Sequence, residues 1–215
     1  MEIYETEEQR LEALKRWWRE NGQSIIIGLI FGIAVILGWN FWQGHKKSQA
    51  EQASALYSQL IQAIKEDKKD SAEKMAERIK EQYPKTQYAV YSGLMLAKLK
   101  VQSGDEAGAQ AILKEIAAGK NLELSNIAKI RQVRLMLAKG EYEQGLKLIN
   151  DVDPATSTGF SGNYDELVGD LYVALDRLDL ARSSYQKALE SGYKSPLLQF
   201  KIDDLTASEK IENQK

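Results

Sequence analysis

The sequence contains no cysteine, one histidine (His45) and only three prolines among its 215 residues. Without thiols the chain cannot form a disulfide or hold an iron–sulfur cluster through cysteine, and one histidine cannot supply the usual ligands of a zinc site. The same shortage excludes Cys–His and Ser–His catalytic arrangements that do not use His45. Because proline is rare and Ala, Leu, Lys, Glu and Gln are frequent, we expect an all-α protein. Because the usual metal and cluster ligands are missing, we also expect no cofactor.

The larger part of the chain also lacks an excess of charge of either sign. Residues 43 to 215 carry 25 acidic and 25 basic residues, and the whole chain has a formal net charge of -2. A nucleic-acid-binding protein needs a basic excess to neutralise phosphates. We therefore expect no nucleic-acid partner, and no motif of the sequence indicates a small-molecule substrate.

One long uncharged run is present, IIIGLIFGIAVILGWNFW at residues 25 to 42. As a helix it measures about 27 Å, close to the roughly 30 Å hydrocarbon core of a bilayer. Its flanks hold all four tryptophans of the protein, Trp17, Trp18, Trp39 and Trp42, placed as interfacial anchors on both sides. A long, acidic N-terminal segment and the lack of a nearby cleavage site argue against a signal peptide. The run therefore predicts a single transmembrane helix in contact with the lipid bilayer.

The basic residues beside this run predict its orientation. Four of them precede it in residues 1 to 24, whereas only Lys46 and Lys47 follow it closely. This difference places the N-terminal segment in the cytoplasm and the rest of the chain in the periplasm of a Gram-negative cell. Leu11, Leu14 and Trp18 share one helical face, which predicts an amphipathic helix at the cytoplasmic surface.

Gly28 and Gly32 form a GxxxG pattern inside the predicted span. Small residues four apart let another helix approach closely, so this face is a candidate for transmembrane helix packing. Glycine is also common in membrane helices in general. Both interpretations, a packing face and an ordinary membrane helix, remain open at this point.

The sequence after the span repeats with a period of 36 or 37 residues. A small residue recurs four times, and apolar residues follow it after four and after seven positions. These three columns are Ala72, Ala109, Gly145 and Ala181; Ala76, Leu113, Ile149 and Tyr185; and Ile79, Ile116, Val152 and Ala188. Such a stripe is typical of a helix packed closely on a hairpin partner, so each copy predicts a helical pair.

The fourth copy resembles the tetratricopeptide consensus, with Gly169, Tyr172 and Ala181 at the consensus spacings. We expect a solenoid of about four helical pairs in residues 43 to 205, closed by a C-terminal capping helix with Ser195 as its N-cap and Pro196 at its first position. Residues 154 to 162 are predicted as the longest loop and residues 206 to 215 as a flexible tail. The alternative is an unrelated helical bundle with evenly spaced turns.

Tetratricopeptide numbering also predicts a face for binding partners. Transferred to the first helices of copies two to four, it gives as groove positions Tyr91, Lys98, Ile130, Arg134, Glu166 and Asp170. This face is mixed in charge, which suits a protein partner better than a ligand of one sign. The opposing interpretation is that these are ordinary solvent-facing positions.

A different hypothesis is an envelope hydrolase that works with paired carboxylates. The candidate pairs are Asp151 with Asp153, Asp165 with Glu166, Asp176 with Asp179, and Asp203 with Asp204. Acids of this kind usually stabilise helix ends, and no phosphate loop, nucleophile elbow or metal-ligand spacing accompanies them. We therefore expect that the protein is not an enzyme.

The N-terminal segment carries a distinctive order: EIYETEEQ at residues 2 to 9, then Trp17-Trp18, then Glu20-Asn21-Gly22 directly before the apolar span. Followed by a tetratricopeptide-like domain, this order resembles the YfgM family of Gram-negative envelope proteins. The resemblance implies an ancillary subunit of the Sec translocon in the inner membrane. It further implies association with a membrane-anchored periplasmic prolyl isomerase and a part in passing emerging proteins to chaperones. A scaffold for cytochrome maturation or cell-wall synthesis is the alternative, because a fold does not choose its partners.

Overall fold

A computed structural model of the protein describes residues 7 to 212, and within this range the chain is helical without any strand. The helices are α1 (Glu7–Lys65), α2 (Lys69–Gln82), α3 (Gln87–Gln102), α4 (Glu106–Ala117), α5 (Leu122–Ala138), α6 (Tyr142–Asn150), α7 (Pro154–Ser157), α8 (Ser161–Ala174), α9 (Leu178–Glu190) and α10 (Leu198–Glu212). The predicted all-α class is confirmed. The predicted pairs correspond to the end of α1 with α2, α3 with α4, α5 with α6, and α8 with α9.

The chain forms two compact units, one ending at Gln52 and the other beginning at Ala53. In the first unit the predicted tail and span belong to one helix, α1, which has no break at residue 24 or 42. Residues 43 to 48 of this helix are exposed. For this reason the repeat unit, which the sequence analysis placed from residue 43, becomes compact only at Ala53.

The apolar part of α1 has the properties of a membrane-spanning helix. An 18-residue window of this helix has a mean hydropathy of 2.2, and none of the window is buried inside the protein. A soluble protein of this size buries such a stretch in its core, because exposing it to water costs roughly 25 cal/mol for each Å². The length and exposure together indicate a membrane-anchored protein.

In the second unit, a residue with positive φ ends the first helix of each pair. These residues are Asp67, Gly104, Gly140 and Asp176, with φ of 53°, 82°, 79° and 58°. The N–H of the following residue then donates to a carbonyl five residues earlier, at 2.8 to 2.9 Å in all four copies. This is the Schellman arrangement, which satisfies the last carbonyls of a helix. Its recurrence at the spacing of the small residues confirms that the copies are structural repeats.

The small-residue column lies where the two helices of each pair meet. Ala72, Ala109 and Ala181 are fully buried, and Gly145 is buried as well. The next two columns contribute buried residues to four successive hydrophobic clusters along the repeat unit. The periodic stripe in the sequence therefore corresponds to the core.

Residues 154 to 162, predicted as the longest loop, are helical. Helix α7 is followed by a 3₁₀ helix, Thr158–Phe160, and then directly by α8. The Asp153 side chain accepts a hydrogen bond from the Ala155 N–H at 2.9 Å, and Pro154 stands at the first helical position. Asp followed by Pro is a strong signal for a helix start, so the prediction of a loop was wrong.

The C-terminal helix also differs from its prediction. It begins at Leu198 rather than at Ser195 or Pro196, and it continues to Glu212, through most of the segment predicted as a flexible tail. No glycine or proline interrupts residues 206 to 212, so nothing in the local sequence ends the helix there. Residues 213 to 215 lie outside the described residues.

Candidate protein-binding face

Three tyrosines cluster at the start of the repeat unit. Tyr57 lies on α1, and Tyr88 and Tyr91 lie on α3. The ring centroid of Tyr57 lies 5.7 Å from that of Tyr88 and 6.1 Å from that of Tyr91. The rings of Tyr88 and Tyr91 pack edge to face, with their centroids 6.1 Å apart. All three side chains remain partly exposed. Such a cluster presents apolar ring surface together with hydroxyl groups, a combination found at protein interfaces.

Arg131 of α5 lies close to Tyr57, and two further cationic side chains, Lys98 and Arg134, lie close to Arg131. Lys98 of α3 and Arg131 of α5 line the same cavity of about 370 Å³. Burial lowers the pKa of Arg131, and the nearby charge of Arg134 lowers it further, whereas Tyr57 raises it. The Arg131 guanidinium donates to the Leu94 carbonyl at 3.0 Å. The like charges of Arg131 and Arg134 therefore lie close together, with Arg131 beside Tyr57.

None of these cations has a carboxylate partner within 4.0 Å among residues 9 to 205, whose side chains are described. We name Tyr57, Tyr88, Tyr91, Lys98, Arg131 and Arg134 the aromatic–cationic face. Lys98 and Arg134 are exposed, and Arg131 is partly exposed. The face therefore offers uncompensated positive charge to a partner.

The two predicted acidic positions contact the chain's own C-terminal helix. Lys201 of α10 donates to Glu166 at 2.9 Å and to both oxygens of Asp170 at 2.6 and 2.9 Å. Ser195 also donates to Glu166, at 3.1 Å, and Tyr185 donates to Asp170 at 2.8 Å. These carboxylates are therefore satisfied within the chain, and the mixed charge expected for the groove is absent from its open part.

The pKa values of this cluster reflect the contacts. Burial by itself would raise the pKa of Glu166, but the hydrogen bond and charge of Lys201, together with hydrogen bonds from Tyr193 and Ser195, outweigh burial, and the pKa is lowered. Burial by itself would lower the pKa of Lys201, but Asp170 and Glu166 outweigh it, and the pKa is raised. Both groups are thus stabilised in their charged forms.

Ile130, another predicted groove position, is a core residue. It is 6% exposed and belongs to the same hydrophobic cluster as Val133 and Leu146. Helix α5 has buried residues on more than one side, and Ile130 lies on one of the buried sides. Its neighbour Arg131 is the side chain that reaches the face. The assignment of Ile130 to an open groove is therefore corrected.

Sequence reasoning missed four residues of this region: Tyr57, Tyr88, Arg131 and Lys201. Two of them had a local signal, because Tyr88 with Tyr91 and Arg131 with Arg134 are spaced three residues apart and so share a helical side. Lys201 had none, since it meets its partners across more than 30 residues of chain.

The glycines and tryptophans predicted to act in the membrane lie in the first unit, and the space around Gly28 and Gly32 is open. A Cβ added at Gly28 or Gly32 would meet nothing within 4 Å. The four tryptophans are about half exposed. The Lys46 ammonium stands over the Trp42 ring, 3.8 Å from its centroid. Their roles in helix packing and interfacial anchoring stay predictions.

The carboxylates of the hydrolase hypothesis are largely engaged in local structure. Asp153 caps α7, Asp176 occupies a turn with positive φ, and Asp179 pairs with Arg182 at 3.3 Å. Within the part of the chain that the structure describes, no group of three or more His, Asp or Glu side chains is placed to hold a metal ion.

Known proteins place the chain in a family. Residues 15 to 207 match the family described as a tetratricopeptide repeat-like domain. A relative from Haemophilus influenzae is 32% identical over 86% of this chain and 90% of its own length. Relatives from Aggregatibacter actinomycetemcomitans and Escherichia coli are 31% and 29% identical, over 93% and 96% of this chain and 97% and 100% of their own lengths.

All three relatives carry the name ancillary SecYEG translocon subunit. No solved structure matches the chain. Nearly complete coverage on both sides agrees with the span and repeats described above. The chain therefore belongs to the tetratricopeptide-like family of ancillary SecYEG translocon subunits.

Proposed function

We propose that this protein is a membrane-anchored scaffold that binds proteins at the periplasmic side of the SecYEG translocon. The aromatic–cationic face carries this proposal, because it exposes rings and unpaired charges that a free-standing domain has no structural need to present. The family and the names of its members support SecYEG as the assembly concerned.

The proposed orientation has the N-terminal segment in the cytoplasm and the repeat unit in the periplasm. Four basic residues precede the apolar stretch of α1 and two follow it closely, a difference that favours retention of the N-terminal side. In this orientation the repeats would face proteins as they leave the translocon.

The same proposal includes a membrane-anchored periplasmic prolyl isomerase as a partner and the passing of emerging proteins to chaperones. The support for both is the N-terminal resemblance to the YfgM family. A shared membrane anchor would raise the effective concentration of such a partner to about the millimolar range, so that even weak contacts at the repeat face could hold it.

Photocrosslinking in living cells tests this proposal. A photoreactive amino acid placed at Tyr91 or Arg134 should give adducts with SecYEG subunits or with proteins bound to them. The control position is Lys114, an exposed residue on α4 that lies in the second helix of its pair. Adducts of Tyr91 and Arg134 with cell-wall synthesis or cytochrome maturation proteins alone would overturn the proposal.

A further inference from the structure

We propose that the aromatic–cationic face binds an acidic protein segment that also carries an apolar side chain. This inference rests on the proposed scaffold function only in assuming that the segment belongs to a protein partner. Its chemistry follows from the charges and rings of the face itself, in two parts that can be tested separately.

The positive charge of the face favours a bound segment with negative charge. Lys98, Arg131 and Arg134 have no carboxylate partner among residues 9 to 205. Burial lowers the pKa of Arg131, and the nearby charge of Arg134 lowers it further. The surrounding chain is neutral overall, so this is a local excess and not part of a general basic surface. Carboxylates of a bound segment would relieve the repulsion, since complementary charge favours one partner and disfavours others.

The acidic residues of the chain itself do not relieve this excess. Glu166 and Asp170 are the acidic positions predicted for the groove on α8, and Lys201 already neutralises them at 2.6 to 2.9 Å. Helix α10 thus supplies a lysine to Glu166 and Asp170 but no carboxylate to the cations of the aromatic–cationic face. Tyr193 accepts a hydrogen bond from Asn163 at 3.0 Å and lies close to both Arg134 and Glu166.

The tyrosines select a second property of the segment. Tyr57, Tyr88 and Tyr91 keep one another in place by ring contacts of 5.7 to 6.1 Å, so little side-chain entropy remains to be lost on binding. Their rings offer apolar surface next to Arg131. An apolar side chain adjacent to the carboxylates would cover these rings and exclude water from the charge contacts.

Peptide binding to the full-length protein in mild detergent tests the inference. The probe is a fluorescein-labelled peptide of alternating Glu, Leu and Ser residues, and its counterpart has Gln in place of every Glu. Fluorescence anisotropy should show roughly tenfold tighter binding of the Glu peptide. Added salt should weaken that binding, because exposed charge contacts are screened.

Matched variants locate the contact. Lys98→Glu combined with Arg134→Glu should weaken binding of the Glu peptide roughly tenfold or more. Lys114→Glu combined with Lys147→Glu changes the net charge equally on exposed positions of α4 and α6, and should leave most of the affinity intact. Tyr91→Ala should weaken binding of both peptides by a similar factor, because the substitution removes apolar surface and no charge. Near-ultraviolet circular dichroism checks the fold, and Lys98→Gln with Arg134→Gln replaces the double reversal if folding suffers.

Several outcomes would overturn the inference. These are equal affinity for both peptides, no measurable binding of the Glu peptide, or equal losses in the two double variants. A change in the mass of the protein–detergent complex on Arg134→Glu would assign the face to a second copy of the chain and would overturn it too. Failure of crosslinking to SecYEG with intact peptide binding would count against the proposed function alone.

Discussion

The two compact units both place small residues at helical spacing, but they use them differently. In the repeat unit, a Cβ at Gly169 would overlap the ring of Tyr185, and one at Gly145 would lie 3.0 Å from Leu171. In the first unit, a Cβ at Gly28 or Gly32 would meet nothing. Small residues in the repeats are thus occupied by contacts within the chain, whereas those of the apolar helix are available to an external helix or to lipid.

Apolar side chains follow the same division. Ile79 and Leu171 of the repeat unit are fully buried, whereas Phe31 and Phe41 of α1 are 69% and 80% exposed. A hydrophobic residue seeks an apolar environment in either unit, but only one unit builds that environment from its own helices. Periodicity thus identifies a packing face, whereas burial shows whether the packing partner lies inside the chain.

Substitution of a repeat glycine should give the largest effect. Gly169→Ala should lower the free energy of unfolding by about 3 kcal/mol, because the added methyl overlaps a buried ring. Tyr185 is 2% exposed and donates a hydrogen bond to Asp170, so the ring cannot move away freely. Chemical unfolding of the full-length protein in detergent, followed by near-ultraviolet circular dichroism, measures the loss. Gly28→Ala is the control and should cause no decrease; equal losses would contradict the comparison.

Removal of Lys201, which neutralises Glu166 and Asp170, should have a smaller effect on the free energy of unfolding. Lys201→Met leaves Glu166 and Asp170 facing each other without a cation, and we expect the free energy of unfolding at neutral pH to fall by about 2 kcal/mol. Lys194→Met, at an exposed position before α10, is the matched control. Similar unfolding curves for the Lys201 variant and the unaltered protein would show that this cluster adds no stability.

The pH dependence of this difference has a definite sign. The pKa of Glu166 is lowered from 4.5, so its contribution is present above pH 4.5 and is lost as the pH falls through the lowered value. The pKa of Lys201 is raised from 10.5, so its contribution is present below pH 10.5 and is lost as the pH rises through the raised value. The stability difference between the unaltered protein and Lys201→Met should therefore be largest between these limits.

The glycines of the apolar helix should matter for association but not for folding. Gly28→Ile combined with Gly32→Ile should leave unfolding of the repeat unit unchanged and reduce co-purification with SecYEG roughly three- to tenfold, the range expected for one lost helix-packing contact. Gly38→Ile is the control, since residue 38 also has open surroundings but lies on a different side of the helix. Unchanged recovery of SecYEG would favour the interpretation as an ordinary membrane helix.

Sequence reasoning predicted those parts of the fold that depend on local or periodic signals. The small-residue columns identified the core of each pair, and Gly104 and Gly140 marked turns that require positive φ. The Asp153-Pro154 start of α7 was equally local, so this signal was available and was misjudged. The numbering transferred from the tetratricopeptide consensus failed at Ile130, because α5 has buried residues on more than one side and helical spacing alone does not show which sides the neighbouring helices cover.

The all-α class, the apolar span and the repeat period could be predicted from the amino-acid sequence, because each follows from the spacing of residue types along one helix. Tertiary structure decided which charges of the candidate face stay open. Glu166 and Asp170 meet Lys201 from more than 30 residues away, and no local pattern encodes that meeting. The physical reason is that propensity and amphipathicity act within a few turns of helix, whereas the neutralisation of a charge depends on which side chains the folded chain brings within hydrogen-bond distance.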